Sequence, residues 1–204
     1  MGQAVGTAAS LCLKKDVLPR ELAQKHMDEL QEQLLRDDAF IPSRPANDAK
    51  DLAKTADLIF ASSTISGDAK LLVDGVSRDI NDEVHHWESD GLPAEIGIVW
   101  ERPVALSSVE IKCDTNLKRN IMMRKDHMEN DTFGTSVPPE MLKSLEIQAR
   151  INGQWVRLGS TDDNRTRLTK FQFDQIKTPE IRVQLKETYG YRNAKLFEIR
   201  CYEA

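Results

Sequence analysis

The chain has 204 residues, of which 40% are hydrophobic and 30% are charged, with only 10 Gly and 8 Pro. This balance is typical of a folded protein with a real core and excludes a disordered chain. The formal net charge of -5 argues against nucleic acid as a partner, and no apolar run approaches the roughly 18 residues that a membrane span needs.

Residues 1–40 are predicted to form a pair of α-helices. Gln3–Lys15 is rich in Ala and other small residues, and its final Lys14 and Lys15 suit the negative end of a helix dipole. Pro19 favours the start of a second helix, since proline is tolerated in a first helical turn. Glu21–Leu35 then places its leucines close to one face and its charged residues on the other. Helices this short depend on packing against a larger partner.

Residues 41–51 are predicted to be a linker, because Pro42 and Pro45 stiffen the chain and remove backbone donors. This linker separates the helical segment from a second domain over residues 52–204. After the linker the hydrophobic period changes from that of a helix to two, which is the period of a strand.

The second domain is predicted to be mainly β. Asn152-Gly153 is the strongest short signal for a hairpin. Apolar and polar residues alternate along the strand-like runs, as they do in antiparallel sheets with one face packed on a core. At least seven short strands without strong helices between them indicate a sandwich or barrel. The strand-like runs are Ile96–Trp100, Val109–Cys113, Leu145–Ile151, Trp155–Leu158, Phe171–Ile176, Ile181–Leu185 and Leu196–Tyr202.

The three cysteines, Cys12, Cys113 and Cys201, stand outside any CxxC or zinc-binding spacing. Cys113 and Cys201 each lie in a strand-like run, which favours buried thiols. A disulfide between these two remains open, since it requires the two strands to be neighbours.

Several landmarks follow one another in a recognisable order. They are Ala61-Ser62-Ser63, Leu72–Gly75, His86–Ser89, Glu95–Val104, Asn152–Leu158 and Ala194–Ile199. This order resembles discoidin-like domains of the galactose-binding-like superfamily, which include coagulation-factor C-type domains and family-32 carbohydrate-binding modules. The resemblance covers Leu52–Ala204. It implies a discoidin-like jelly-roll β-sandwich that binds a carbohydrate or glycan, without catalysis, in a secreted or periplasmic protein.

The start of the chain resembles a second family. Met1–Ala9, Val17–Glu21 and Glu29–Asp37 are similar to the C-terminal end of bacterial FAD-dependent oxidoreductases. In such flavoproteins the glycine-rich start of this helix lies against the flavin, which implies cofactor-binding roles for three residues in a full-length parent only. These residues are Gly2, Gln3 and Gly6. Because the chain has no GxGxxG motif, we expect it neither to hold FAD nor to be an enzyme.

The discoidin-like resemblance also implies a calcium site. In many relatives Ca²⁺ is held by the Asp of the turn that corresponds to Asp74-Gly75, by a carbonyl just before it and by a Glu of the last strand. Hard oxygen ligands are what this ion prefers. The corresponding residues are Asp74, Leu71 and Glu198, with Asp79 close by. The alternative is that Asp74-Gly75 is only a turn and that Glu198 is an outward-facing strand residue.

The ligand-binding residues of this superfamily come from loops at one end of the sandwich. Tyr189, Tyr191 and Arg192 offer aromatic faces and a planar donor fork, which suit a sugar ring and its hydroxyls. The alternative is that these are solvated loop ends. The long loop Asp114–Pro139 is either functional or partly disordered. Additional candidates for hydrogen bonds to a ligand are His86, Asp114, Arg119 and Arg165.

Two functions remain open at this point. The first is a non-catalytic glycan-binding module at the C-terminus of a FAD-dependent oxidoreductase-like protein. The alternative is a structural domain that packs on a missing flavin domain in cis and has no ligand of its own. An independent enzyme is disfavoured, because no GxSxG, HExxH or Walker pattern occurs. Trp87, Trp100 and Trp155 are predicted to be core residues.

Overall fold

A computed structural model of the chain describes residues 2–116 and 137–203. The chain divides into two compact units, Met1–Ala49 and Lys50–Ala204. The predicted linker, 41–51, spans the boundary between these units. Arg119 and most of the predicted Asp114–Pro139 loop lie outside the described residues.

The first unit contains three helices instead of the predicted pair: α1 (Gly2–Lys15), α2 (Pro19–Lys25) and α3 (Met27–Arg36). The expected second helix breaks at His26, whose φ of -132° lies outside the helical region. The break allows leucines of all three helices to share one small core, Leu11, Leu22, Leu30 and Leu34. No helix within the described residues is long and apolar enough to cross a membrane.

The described residues of the second unit form eight strands. They are β1 (Leu58–Ala61), β2 (Ser66–Gly67), β3 (Trp87–Glu88), β4 (Ala94–Cys113), β5 (Leu142–Ile151), β6 (Gln154–Thr161), β7 (Leu168–Thr188) and β8 (Lys195–Tyr202). Short 3₁₀ turns occur at Leu52–Thr55 and Ala69–Val73. The strands are antiparallel in the order β2-β3-β8-β4-β7-β5-β6, and β1 pairs with β4. The predicted mainly β fold is confirmed.

Two long strands, β4 and β7, belong to both halves of the β unit. The start of β4 pairs with β1 and with the end of β7, whereas its later part pairs with β8 and the start of β7. The register shifts between Val99 and Val104, where Arg102-Pro103 interrupts the ladder because proline has no N–H to donate. The sequence pattern predicts a separate strand on either side of this dipeptide, and the structure joins them.

The hairpin prediction at Asn152-Gly153 is confirmed. Both residues have positive φ, 51° and 79°, and Ile151 pairs with Gln154 across the turn. A two-residue turn with two positive φ angles matches the right-handed twist of the flanking strands. The turn therefore fixes the register of β5 against β6.

Trp155 is not a core residue, which corrects the prediction. The hairpin register places it opposite Arg150, on the polar outer face of the sheet. The guanidinium carbon of Arg182 lies 4.2 Å from its ring centroid and that of Arg150 lies 5.2 Å away. Trp87 and Trp100 are buried as predicted, and their indole nitrogens donate to the carbonyls of Ser63 and Leu52.

Cys113 and Cys201 are buried, free thiols, so the disulfide that the sequence left undecided is not formed. The strands that carry them are neighbours, but Cys113 pairs with Leu196 and Cys201 pairs with Val109. The two sulfurs therefore stand at different positions along the ladder. Burial raises the pKa of Cys113 to about 11 and that of Cys201 well above its usual value.

Asp51 joins the start of the β unit to its last strand. Its Oδ1 accepts hydrogen bonds from the Ala53 N–H at 3.0 Å and from the Cys201 N–H at 2.9 Å. The side chain therefore caps the first 3₁₀ turn and holds it on β8. The residue is 2% exposed, and this burial raises the pKa of its carboxyl to about 6.

Candidate functional site

Four connecting segments meet at one end of the β unit, and we call them together the loop end. Hydrogen bonds join three of them: the Tyr189 N–H donates to the Met141 carbonyl at 3.1 Å, the Tyr191 N–H donates to the Pro139 carbonyl at 3.0 Å, and the Gly91 N–H donates to Asn193 Oδ1 at 3.1 Å. The loop end thus rests on a fixed backbone. Its segments are Ser89–Gly91, Pro138–Met141, Asp162–Arg167 and residues 188–193.

Tyr189 and Arg165, two of the predicted ligand-binding residues, meet at Asp163. The Tyr189 hydroxyl donates to Asp163 Oδ1 at 2.5 Å, and Arg165 Nε donates to Oδ2 at 3.0 Å. The Tyr189 hydroxyl and the Arg165 guanidinium hold the pKa of Asp163 below its usual range, and Asp163 in turn raises the pKa of Tyr189. At neutral pH the cluster therefore offers a carboxylate, a phenol and a guanidinium side by side.

Tyr191 and Arg192 are exposed at the same end of the unit. Tyr191 is 46% exposed, although a hydrogen bond from the Thr188 hydroxyl holds its carbonyl. The Arg192 guanidinium lies 3.5 Å from Asp90 Oδ1, and most of this side chain faces solvent. An aromatic face and a donor fork are thus available to a ligand on a segment whose backbone is anchored.

His86 and Asp114, two further residues predicted to contact a ligand, are buried. The His86 ring lies between Ser66 Oγ at 3.1 Å and Asp79 Oδ1 at 2.7 Å. Asp114 accepts from the Asn116 N–H at 2.8 Å and is itself only 7% exposed. Both side chains are thus engaged by protein groups, and their contact with a ligand stays a prediction.

Asn164 is a supporting residue that the sequence pattern did not single out. It is buried, and its side-chain nitrogen donates to the Leu142 carbonyl at 2.9 Å and to the Thr166 carbonyl at 3.0 Å. Its oxygen accepts from the Thr166 N–H and from the Thr169 hydroxyl. These bonds shape the loop that presents Asp163 and Arg165.

Comparison with known proteins places this geometry in context. No protein-family model matches the chain, and no curated protein matches its sequence. Solved structures do match. The family 32 carbohydrate-binding module of C. perfringens NanJ, in complex with galactose, superposes with a TM-score of 0.52 at 18% identity, over 76% of this chain and 98% of that one. The fold is that of a family-32 carbohydrate-binding module.

Two further matches agree with this fold. The family 32 module of Streptococcus pneumoniae EndoD gives a TM-score of 0.55 at 13% identity, over 76% of this chain and 99% of that one. The crystal structure of SpGH29 gives a TM-score of 0.56 at 16% identity. The match covers 86% of this chain but only 30% of the SpGH29 chain. The predicted discoidin-like β-sandwich is therefore confirmed as a fold.

The calcium site implied by the resemblance does not suit the ion as these side chains are arranged. Glu198 Oε2 lies 2.7 Å from the Lys112 ammonium, and its Oε1 lies 2.7 Å from Arg200. Asp74 accepts from the Val76 N–H at 2.7 Å and contacts His85 Nδ1 at 2.7 Å. Protein donors thus already engage these two carboxylates.

The remaining two calcium candidates are engaged in the same way. Asp79 Oδ1 accepts from the His85 N–H at 3.0 Å, in addition to its contact with His86. The Leu71 carbonyl accepts from the Asp74 N–H at 3.2 Å. Burial raises the pKa of Asp74, and the nearby Glu198 charge adds to this effect. Calcium binding stays a prediction that requires several of these donors to move.

The predicted flavin-contacting residues lie at the start of α1. Gly2, Gln3 and Gly6 are exposed, and a Cβ added at Gly2 or Gly6 would meet no atom within 4 Å. The described part of this unit contains helices without a strand, and a dinucleotide site is built on a strand–turn–helix unit. These residues alone do not fit FAD, and their role stays a prediction for a full-length parent.

Proposed function

We propose that the β unit is a non-catalytic module that binds a carbohydrate or glycan through the loop end. The observation that carries this proposal is the clustering of two tyrosines and two arginines, each arginine beside an aspartate, at one end of the β unit. A sugar ring presents an apolar face and a rim of hydroxyls. Tyrosine rings pack on such a face, while guanidinium and carboxylate groups bind the hydroxyls.

The solved neighbours support this proposal through what they bind themselves. The NanJ module is in complex with galactose, and a chitosan-binding module from Paenibacillus sp. IK-5 superposes with a TM-score of 0.54 at 14% identity over 75% of this chain. The two neighbours bind different sugars on one fold. The sugar that this chain prefers therefore depends on its own loop-end residues.

A single shallow sugar site typically binds with about millimolar affinity, which is roughly −4 kcal/mol. Such an affinity is too weak to retain a free module on a dilute glycan. It becomes useful when the module is tethered, because a tether raises the local concentration of the attached partner. The module would hold an attached protein near a glycan surface.

The test is to apply the full chain to an array of neutral and charged glycans and to measure the best ligand by calorimetry. We expect Tyr191→Ala and Arg192→Ala each to weaken binding about tenfold or more. Arg102→Ala, an exposed arginine in the bend of β4, is the matched control and is expected to bind as the wild type does. Silence across the array, or wild-type binding by both variants, would overturn the proposal.

The wider context is proposed as the C-terminal part of a FAD-dependent oxidoreductase-like protein. One observation favours it: the helical unit leaves large apolar side chains exposed, and such surfaces commonly mark an interface. The exposed residues are Val5, Leu13, Leu18 and Met27. If a longer gene product purifies with bound flavin and Leu13→Asp reduces its flavin content, the proposal is supported. A longer product without flavin would count against it.

A further inference from the structure

A cleft of about 290 Å³ opens on the outer face of the sheet where β4 begins. It lies beside the loop end but shares no residue with it, and none of the site residues predicted from the sequence line it. Ligand pockets usually measure about 300–1,000 Å³, so this cleft suits one small group such as a single sugar ring. Its lining consists of Ser62, Pro93, Ala94, Glu95, Gln184 and Lys186.

The polar wall of the cleft continues across three strands. Glu95 of β4 pairs in register with Gln184 of β7, which pairs in turn with Glu146 of β5. The Lys186 ammonium lies 2.7 Å from Glu146 Oε2. The Gln184 amide donates to Glu95 Oε2 at 3.5 Å. The side chains that face the cleft are thus joined in one row.

The next row of side chains holds this wall in place. Arg182 Nε donates to Gln148 Oε1 at 2.7 Å, and Gln148 donates to Glu146 Oε1 at 2.5 Å. Arg182 also reaches Glu95 Oε2 at 3.3 Å. Groups that are already fixed lose less conformational entropy when a ligand binds. The network therefore prepares the cleft wall for a polar ligand.

The charges of this wall cancel. Among the six lining residues, Glu95 carries one negative charge and Lys186 carries one positive charge. A net-positive wall would select an acidic ligand and a net-negative wall a basic one, since like charges repel and unpaired charges are costly to bury. A balanced set of donors and acceptors favours a neutral ligand rich in hydroxyl groups.

A chain of neighbouring residues joins the cleft to the loop end. Ser62 lines the cleft, and the adjacent Ser63 accepts a hydrogen bond from the Asp90 N–H at 3.1 Å. Asp90 in turn contacts the exposed Arg192. Consecutive Cα atoms are about 3.8 Å apart, so only a few ångströms of backbone separate the cleft from the loop-end residues. A ligand held by Arg192 can therefore extend toward the cleft.

We propose that this cleft is a second carbohydrate subsite, which takes a neutral sugar residue linked to the one that the loop end holds. The inference rests on the proposed function of the loop end and extends it from a single sugar to an oligosaccharide. Gln184 and Lys186 provide the donors to the second sugar, and Glu95 provides an acceptor. The module then binds two adjacent sugar units of a neutral glycan.

The test compares monosaccharides with disaccharides. Calorimetry uses galactose, N-acetylgalactosamine and glucose, each with a β-linked disaccharide that contains it. We expect Lys186→Ala and Gln184→Ala to weaken disaccharide binding about tenfold and to change monosaccharide binding less than about twofold. The matched control is Lys170→Ala on the same strand, because Lys170 is also half exposed and also contacts a buried glutamate. Thermal unfolding confirms that each variant is folded.

Each outcome has one meaning. Selective loss of disaccharide binding supports the subsite. Wild-type binding of both sugar classes with no effect of either cleft variant, or with equal effects on both classes, overturns the subsite and leaves the loop-end function standing. If none of the six sugars binds the wild-type chain, the proposed function and the subsite both fail for neutral sugars of this type.

Discussion

The Lys112 ammonium and the Glu198 carboxylate form a 2.7 Å ion pair whose side chains are only 2% and 3% exposed. The two residues stand opposite each other on β4 and β8, and Arg200 contacts the second oxygen of the same carboxylate. Burying charges costs several kcal/mol per ion, and close oppositely charged partners offset this cost. The pair thus depends on both members being present.

Removing the lysine of this pair is expected to be costly. We expect Lys112→Met to lower the free energy of unfolding by about 3 kcal/mol, because it leaves Glu198 with Arg200 alone in a buried site. Lys143→Met, which removes a partly exposed lysine 3.1 Å from the exposed Glu187, is expected to cost at most about 1 kcal/mol. Urea unfolding measures both changes. Equal losses in the two variants would contradict the role assigned to the buried pair.

Calcium should have little effect on the wild-type chain, because the Lys112 ammonium already neutralises Glu198. We expect 5 mM calcium and excess chelator to give melting temperatures within about 1 °C of each other, since only a ligand that binds the folded state raises its stability. Lys112→Gln leaves Glu198 with Arg200 as its one charged partner among the described residues and is expected to gain a larger response to calcium. A clear calcium-dependent rise in the wild type would show instead that the ion displaces the lysine.

The raised pKa of Asp51 predicts a specific pH dependence. Because its folded-state pKa of about 6 lies above the unfolded value of 3.8, the stabilising contribution of protonation is complete below about pH 4 and is lost as the pH rises through about 6. Asp51→Asn keeps an acceptor oxygen without a charge. We expect it to gain stability relative to wild type between about pH 4 and pH 7, by up to about 3 kcal/mol.

Urea unfolding at both ends of this range measures the Asp51 effect. Asp57→Asn is the matched control, because exposed Asp57 also accepts a backbone hydrogen bond, from the Glu101 N–H. A stability difference between Asp51→Asn and wild type that does not change with pH would refute the assignment.

Asn164→Ala is expected to destabilise the loop that carries Asp163 and Arg165. The substitution leaves the buried carbonyl of Leu142 and the Thr169 hydroxyl without their Asn164 partner. We expect a loss of about 2–3 kcal/mol in the free energy of unfolding, because unsatisfied buried polar groups cost about 1–3 kcal/mol each. Arg165→Ala, in the same loop but in an exposed ion pair with Asp163, is the control. Similar losses from both variants would argue against a special role for Asn164.

Local patterns predicted the parts of the fold that local chemistry determines. The Asn152-Gly153 turn and the alternation of Leu145–Ile151 gave the β5–β6 hairpin, because turn type and side-chain period act within a few residues. The break at His26 was missed because the leucine spacing of a single long helix is nearly the same as that of the two shorter ones. The strand β4 was divided wrongly because Arg102-Pro103 looks like a stop in the sequence.

The site depends on contacts that no local pattern contains. Tyr189 was predicted as a ligand-binding residue, but its partner Asp163 lies 26 residues earlier, and no local pattern links the two. His86 and Asp114 carry the right chemistry for binding, and only the folded chain shows that Asp79 and Asn116 already engage them. Trp155 has the size of a core residue, yet its register with Arg150 turns it outward.

The sharing of β4 and β7 by both halves of the β unit has a mechanical consequence. In a sandwich made of two separate sheets, the sheets can separate along the plane between them while each stays intact. Here β4 and β7 continue from one half into the other, so the residues that the structure describes contain no plane along which intact strands could separate. Loss of one half must disrupt the strands of the other, and a sugar that secures the loop end would slow the opening of the entire unit.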